Sequence, residues 1–398
     1  MTTKCPFHDR DVPFDAEFYA DPYPVYTRLR EEAPIHRICM PEGNEAWLVT
    51  RYEDVSELLK DRRLVRNHRH AKDYKNEVLP EFVRAGNLHM EDGEIHTRLR
   101  RFMNFAFTPK RIDALRPWIV AETDRLLDEV EKNGGGDLMQ MIAAPLPITV
   151  TVELLGIPSD MSGPFRDWSD ALLGGVLADG QAAGKALIEF VYRLVELKRA
   201  EPGDDLMSHW IHSVDEEGRH LSEQEIVGMA FFLVIGGYDT TVGSIGSSLL
   251  ALLDRPDLAE RLRQEPELIP EAVEELLRWD GSAHNAFRRF ALEDMTIAGI
   301  PVAKGETVIL SISSANRDPR RFPEPDVLDF DREDKQHWAF GRGAHHCPGK
   351  ELARIEMQIL VELLLKRFPG MALADTEEEV QWRPNYLIRS PRKVVVTV

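Results

Sequence analysis

The chain has 398 residues, and its 49 Lys and Arg against 68 Asp and Glu give a formal net charge of -19. This acidity argues against general nucleic-acid binding, because neutralising phosphates needs a basic surface. Three cysteines, no export signal pattern and no run of about 20 apolar residues predict a reduced cytoplasmic protein that is not held in a membrane.

Helical periodicity dominates the chain. Asp21 and Pro22 have the pattern of a helix start, with a capping side chain before a first-turn proline. Further helical patterns cover roughly 94–107, 110–132, 182–200, 255–264 and 267–279, and short strand patterns cover 46–50, 306–310 and 393–398. The predicted fold class is therefore mainly α with a minor β portion. No Pro- or Ser-rich linker divides the chain, so either one large domain or tightly fused lobes are expected.

A long central helix is predicted over about 222–253, beginning with a capping box at Ser222 and Glu225. Its middle reads GGYDTT, in which Gly236 and Gly237 should each cost the helix about 1 kcal/mol relative to alanine. Close helix packing would explain the glycines alone. The acid and hydroxyl that follow, Asp239 and Thr240, instead indicate a flat ligand against the backbone and a local supply of protons.

A second motif, FGRGAHHCPG, extends from Phe340 to Gly349 and leads directly into an apolar helix pattern. Cys347 is therefore expected at a helix N-terminus, where backbone N–H groups and the helix dipole stabilise a thiolate. Such a sulfur could be a nucleophile, a metal ligand or a buried core residue.

Four cationic side chains form a third candidate group. His96 and Arg100 are four apart on one helix face, Arg289 follows a predicted helix, and His345 precedes Cys347 by two residues. Singly, each is more often a surface charge or a satisfied histidine. Together with a thiolate they would suit a planar metallocycle that carries two carboxylates.

These motifs, in this order over nearly the whole chain, resemble those of the cytochrome P450 family, particularly its soluble bacterial members. FGRGAHHCPG resembles the family's heme-binding loop at 340–349, and GGYDTT its oxygen-activation motif. EELLR at 274–278 resembles its Glu-x-x-Arg helix, with Glu275 and Arg278 as a structural ion pair, and HTRLR at 96–100 resembles its propionate site. Gly236 departs from the pattern, since alanine is common there.

The resemblance implies that residues 1–398 form a single domain with one P450 fold, with heme b (iron protoporphyrin IX) between the central helix and the helix after the cysteine. Cys347 would be the iron ligand, and Asp239 and Thr240 the catalytic acid and alcohol. The residues implied in cofactor binding are His96, Arg100, Gly236, Gly237, Arg289, Phe340, His345, Cys347 and Gly349.

The implied activity is that of a monomeric monooxygenase that uses O2 to oxidise a small, largely apolar molecule, in natural-product biosynthesis or catabolism. Its electrons would come from NAD(P)H through ferredoxin reductase and ferredoxin. The expected substrate pocket includes Phe232, Ile235, Asn285 and Leu387. A locally positive face is expected to receive the ferredoxin and would be formed by Arg98, Arg101, Arg342 and Lys350.

Other classes stay open at this point. A hydrolase could use Cys347 with His345 or His346, but no third group is evident to orient the base. A non-catalytic heme sensor would not need the pair Asp239 and Thr240. A peroxide-driven or oxygen-independent heme-thiolate enzyme is the nearer alternative.

Overall fold

The structure is a computed structural model that describes residues 12, 14–41, 43–73, 87–173, 177–374 and 380–398. Helix accounts for 55% of it and strand for 12%, so the prediction of a mainly α fold is confirmed. The first cysteine of the chain, Cys5, lies outside the described residues.

The predicted helices are present within a few residues of their expected bounds, and several further helices were not predicted. The α-helices in the described part of the chain are α1 Ala16–Ala20, α2 Tyr23–Glu32, α3 Tyr52–Leu58, α4 Gly93–Asn104, α5 Pro109–Asn133, α6 Pro145–Leu155, α7 Ser162–Leu173, α8 Leu177–Ala200, α9 Leu206–His212, α10 Glu223–Asp254, α11 Pro256–Gln264, α12 Ile269–Asp280, α13 Ile312–Asn316 and α14 Lys350–Arg367.

The strands are short and form three sheets. They are β1 Ile35–Cys39, β2 Glu45–Val49, β3 Leu64–Val65, β4 Gly135–Asp137, β5 Arg289–Ala291, β6 Met295–Ile297, β7 Ile300–Val302, β8 Thr307–Leu310, β9 Ala372–Leu373 and β10 Val395–Thr397. The main sheet has the order β1-β2-β8-β5-β3, and only its β2–β8 pair is parallel. The order β4-β10-β9 forms a second sheet, and β6 pairs with β7.

The chain divides into two compact units. One comprises residues 1–75, 120–143 and 240–398 and contains all three sheets; the other comprises 76–119 and 144–239 and is helical. In the first unit, Val49, Tyr52, Val308, Leu310 and Phe322 belong to the buried core that supports the main sheet. The expectation of a single domain over 1–398 stays a prediction.

Helix α10 is the one helix, among the residues that the structure describes, whose length and apolar composition would suit a membrane span. The 18-residue window that qualifies is 72% buried within the protein. Core helices of water-soluble proteins pass the same criterion, so this finding is weak support for a membrane span.

Glu356 lies on α14 and is 4% exposed, and its Oε2 atom has no hydrogen-bond partner in the described part of the chain. Burial raises the pKa of this carboxyl from 4.5 to about 8. Between these two values the unfolded chain loses the proton while the folded protein keeps it. Glu356 should therefore lower the free energy of unfolding progressively as the pH rises from about 5 to about 8.

We expect Glu356→Gln to remove this contribution, because the amide has nearly the same shape and does not ionise. Thermal unfolding of the parent and the variant, followed at about pH 5 and about pH 8, checks it. The variant should gain stability over the parent at the higher pH. Equal differences at both pH values would contradict the prediction.

Candidate active site

The loop from Phe340 to Gly349 is folded by its own backbone hydrogen bonds. The amide of His346 donates to the carbonyl of Gly343 at 3.2 Å, and the amide of Cys347 donates to the carbonyl of Phe340 at 2.9 Å. Gly349 is the residue before α14, so Cys347 lies one short turn before the helix. The predicted position of the sulfur at a helix N-terminus is confirmed.

Two glycines in this loop have backbone conformations that side chains disfavour. Gly341 has φ 66° and Gly343 has φ 78°. A Cβ atom on Gly343 would also lie 2.8 Å from the carbonyl oxygen of Leu59. The loop thus lies directly against the chain that follows α3, and only glycine allows this approach.

The ring of Phe340 is held by a charged cluster. The Arg354 guanidinium lies 4.7 Å from the ring centroid and forms an ion pair with Glu274 on α12 at 2.6 Å. Burial alone would raise the pKa of Glu274, but hydrogen bonds from Arg354 and His337 lower it to about 2. These contacts fix the cysteine loop and α14 against α12.

Arg289 lies on β5, is 2% exposed and donates hydrogen bonds to the carbonyl oxygens of Leu59 and Leu64, both at 3.3 Å. Leu59 is also the residue against which Gly343 lies. The structure therefore brings Arg289 and the cysteine loop to the same segment after α3. His345 is half-buried within that loop.

The side chains around Cys347 suit a metal that takes one ligand from the protein. No group of three His, Cys, Asp or Glu suited to a metal occurs among the described residues. Cys347 is half-buried and lies three residues before α14 begins. A single thiolate at this position would suit iron held in a macrocycle, which supplies further ligands of its own.

Most of helix α10 is buried, but a narrow stripe of its residues is partly exposed and is called the accessible stripe here. From residue 226 to residue 252 its side chains are buried except at five half-buried positions, which are Phe232, Ile235, Gly236, Gly237 and Thr240. Spacings of three, four and eight place Phe232, Ile235, Gly236 and Thr240 on one face. The predicted common face is confirmed as geometry, while Asp239 beside it is buried.

The two adjacent glycines of the GGYDTT motif on α10 have different surroundings. A Cβ atom on Gly236 would lie 3.1 Å from the ring of Phe232, so the ring can fold back over this residue because it is glycine. On Gly237 it would meet, in the described residues, only the hydroxyl of Thr151 at 3.9 Å. His89 stacks on Phe232 with ring centroids 4.8 Å apart. No sequence pattern indicated His89.

His96 and Arg100 lie on α4, as predicted, one turn apart. His96 is 4% exposed, and the Nε atom of Arg100 donates to the side-chain oxygen of Asn104 at 3.0 Å. Both belong to the helical unit, whereas Arg289 and His345 belong to the unit with the sheets. The common carboxylate site of these four residues stays a prediction.

Asn285 and Leu387, two predicted pocket residues, are brought together. The amide of Asn285 donates to the carbonyl of Leu387 at 3.3 Å, and its side-chain Nδ2 donates to the carbonyl of Tyr386 at 2.5 Å. The Oδ1 atom of Asn285 is buried without a hydrogen-bond partner within the described ranges. It is the polar atom of this turn that could receive a bond from a ligand.

The four cations expected to form a locally positive face for ferredoxin each contact a neighbouring side chain. The positive charge of Arg98 is offset by Asp215 and Glu225, and the N–O distance is 2.6 Å in both ion pairs. The other three cations are engaged as well: Arg101 with Glu216 at 2.9 Å, Lys350 with Glu351 at 3.7 Å, and Arg342 with the hydroxyl of Ser56 at 2.7 Å. Neighbouring carboxylates pair with three of these four cations. Arg98 and Arg101 belong to the helical unit, and Arg342 and Lys350 belong to the unit with the sheets, so a common positive face stays a prediction.

Comparisons with known proteins agree with these features. The family model described as Cytochrome P450 matches residues 148–397. The chain is 41% identical to "Nocardicin C N-oxygenase" of Nocardia uniformis subsp. tsuyamanensis, over 98% of both chains. It is 40% identical to "Mycinamicin IV hydroxylase/epoxidase" of Micromonospora griseorubida, over 93% of this chain and 94% of that one.

A solved structure gives the same result for the fold. The Bacillus subtilis 168 bacillaene polyketide synthase cytochrome P450 PksS is similar with a TM-score of 0.90 and 38% identity. The similarity covers 97% of this chain and 98% of that one. The cysteine loop and the α10 motif both lie within the matched residues.

Proposed function

We propose that this chain, which belongs to the cytochrome P450 family and is a heme-dependent monooxygenase, oxidises a small, largely apolar natural product with electrons from ferredoxin and ferredoxin reductase. The accessible stripe on α10 is the observation that carries the proposal. The stripe is narrow, contains Gly236 and Gly237, and ends at Thr240. Two relatives of this chain are named as a hydroxylase/epoxidase and an N-oxygenase, and they support a substrate from natural-product biosynthesis.

The bound heme, proposed to be heme b, supplies the activation of O2 and the insertion of one oxygen atom. Cys347 would hold the iron as a thiolate, which the N-terminus of α14 stabilises. Arg289, oriented by two backbone carbonyls, would bind one carboxylate of the heme through its guanidinium group. His96, Arg100 and His345 are proposed to bind the carboxylates with it, and Phe340, Gly236, Gly237 and Gly349 to contact the macrocycle.

Asp239 and Thr240 are proposed to move protons toward the reacting oxygen. Asp239 is 4% exposed, and Thr240 is on the accessible stripe. Asp239 would exchange protons with bulk water, and the Thr240 hydroxyl would hold a water in reach of the reaction. Helix α10 can open at this point because Gly236 and Gly237 weaken the preceding turn.

The proposed substrate pocket combines an apolar face with one polar contact. Phe232 and Ile235 would cover the apolar part of the substrate. Asn285, with its buried Oδ1 atom, would accept a hydrogen bond from a substrate hydroxyl or amine, and Leu387 would contact the substrate beside it. The monomeric state and the cytoplasmic location stay predictions.

Replacing Thr240 by alanine tests the proposal. The heme-loaded protein is supplied with NADPH, ferredoxin reductase and ferredoxin, with nocardicin C and mycinamicin IV as probe substrates. We expect the variant to consume NADPH but to yield several-fold less product and more hydrogen peroxide, because the positioned proton donor is lost.

The control is Thr241→Ala, which removes a neighbouring buried hydroxyl from α10 without touching the stripe. This variant should keep the parent's ratio of product to NADPH. Turnover with hydrogen peroxide and none with the electron-transfer chain would favour the peroxide-driven alternative. A heme protein that shows no turnover in either assay would indicate a sensor.

A further inference from the structure

We propose that Ser282 is a positioning residue that fixes the Thr240 peptide through its side-chain hydroxyl, and that oxidation of the substrate depends on this bond. The inference rests on the proposed function of Thr240 and adds a residue that no motif of the family resemblance contains. Ser282 follows α12 and is 2% exposed. Both it and Thr240 lie in the unit with the sheets.

The contact is a short chain of hydrogen bonds. The Ser282 hydroxyl donates to the carbonyl oxygen of Thr240 at 2.5 Å, and the Ser244 hydroxyl lies 2.8 Å from the Ser282 hydroxyl. In a helix the carbonyl of Thr240 also faces the amide of Ser244, four residues later. Because Ser282 donates its only proton to Thr240, Ser244 is the donor in the second bond. The turn from Thr240 to Ser244 is thus held from outside the helix.

Close packing at Gly243 holds the same turn. A Cβ atom on Gly243 would lie 2.7 Å from the carbonyl oxygen of Arg389 and 2.8 Å from the Cβ atom of Ser282. The backbone of Ser282 is joined to this neighbour, since its carbonyl accepts a bond from the amide of Arg389 at 2.8 Å. Ser282 and the chain at Arg389 form a rigid frame against α10.

The frame extends to the proposed pocket. Ala283 pairs with Ile388 in an antiparallel bridge, and the amides of His284 and Asn285 donate to the carbonyl of Leu387. The peptide that carries the catalytic hydroxyl and the turn that carries Asn285 and Leu387 are therefore fixed to the same short segment.

The bond from Ser282 matters because the part of α10 before Thr240 and the part after it are held differently. Before Thr240, Gly236 and Gly237 give the helix a turn of low intrinsic stability. From Thr240 onward the helix is held by Ser282 and by the close approach at Gly243. If the turn at Gly236 and Gly237 moved, the Thr240 side chain would move with it unless the Thr240 carbonyl were held in place. The Ser282 hydroxyl supplies that anchor.

The test compares Ser282→Ala with Ser282→Thr, which restores a hydroxyl, in the heme-loaded protein. Infrared spectroscopy of the reduced carbon monoxide complex reports the polar groups that face the bound ligand, and it needs no substrate. We expect Ser282→Ala to shift or broaden the C–O stretching band and to speed hydrogen exchange at residues 240–244. Product per NADPH should fall about fivefold, the cost of one lost hydrogen bond. Ser282→Thr should restore all three readouts.

Ser247→Ala is the matched control. Its buried hydroxyl belongs to the same helix and has no hydrogen-bond partner in the part of the chain that is described. This variant should leave the band and the exchange rates unchanged. A Ser282→Ala protein with the parent's band, exchange rates and product ratio would overturn the inference, provided that Thr240→Ala changes the band. If Thr240→Ala leaves the band and the product ratio unchanged, the proposed role of Thr240 fails instead.

Discussion

Replacing Cys347 by serine is expected to abolish the strongly red-shifted absorption band of the reduced, carbon monoxide-bound protein, and the monooxygenase activity with it. Serine has nearly the same size, but its hydroxyl is a far weaker acid than a thiol. The N-terminus of α14 stabilises a thiolate, and this effect is too small to hold a deprotonated serine. The variant would therefore lose the electron-donating ligand on which O2 cleavage depends.

Cys39→Ser is the matched control, because Cys39 is the other half-buried cysteine in the described residues and lies on β1. That variant should keep the band and the activity. Heme content is measured for each protein, so that loss of the ligand is distinguished from loss of the whole cofactor. A Cys347→Ser protein that retains the red-shifted band would contradict the assignment of the iron ligand.

The sequence was most informative where local pattern decides structure. Helix α10 was predicted within one residue at each end because a capping box marks its start and its apolar residues continue for eight turns. The turn that places Cys347 before α14 was also legible, since Gly341 and Gly343 permit the positive φ angles that the loop uses. In both cases the determining residues are neighbours in the sequence.

Helix α6 was not predicted, for a physical reason. Pro145 and Pro147 open it, and seven of its eleven residues are buried, so no polar face alternates with an apolar one. Strand β1 was missed because its conformation depends on pairing with β2 and not on its own composition. Local patterns cannot reveal elements that are determined by their neighbours in the fold.

The same distinction between local patterns and distant contacts applies to the site residues. The stripe on α10 followed from helical spacing, but the neutralised charge of Arg98 did not, because Asp215 lies 117 residues further along the chain. The bond from Ser282 to Thr240 joins residues 42 apart. Contacts of this kind depend on how helices pack, and a single sequence does not record them.

The buried cluster around Glu275 should show the largest effect on stability. Glu275 and Arg278 are fully buried, and two bonds between them measure 2.7 and 2.8 Å. The Glu275 carboxylate also accepts bonds from the Arg332 guanidinium at 3.1 Å and the amide of Asp329 at 3.0 Å. One carboxylate therefore offsets two buried guanidinium groups and orders the chain that precedes the cysteine loop.

We expect Glu275→Gln to lower the free energy of unfolding by about 3–5 kcal/mol, because the two buried guanidinium groups lose the carboxylate with which both pair. Urea unfolding of the heme-loaded protein measures the change. Glu45→Gln is the control, since Glu45 pairs with Arg37 at the surface and should contribute about 1 kcal/mol or less. If Glu275→Gln fails to fold, the double variant Glu275→Gln with Arg278→Met should recover folded protein, because it removes one of the two unbalanced charges. A Glu275→Gln protein as stable as the Glu45→Gln control would show that the cluster is not needed to hold α12 to the chain before Cys347.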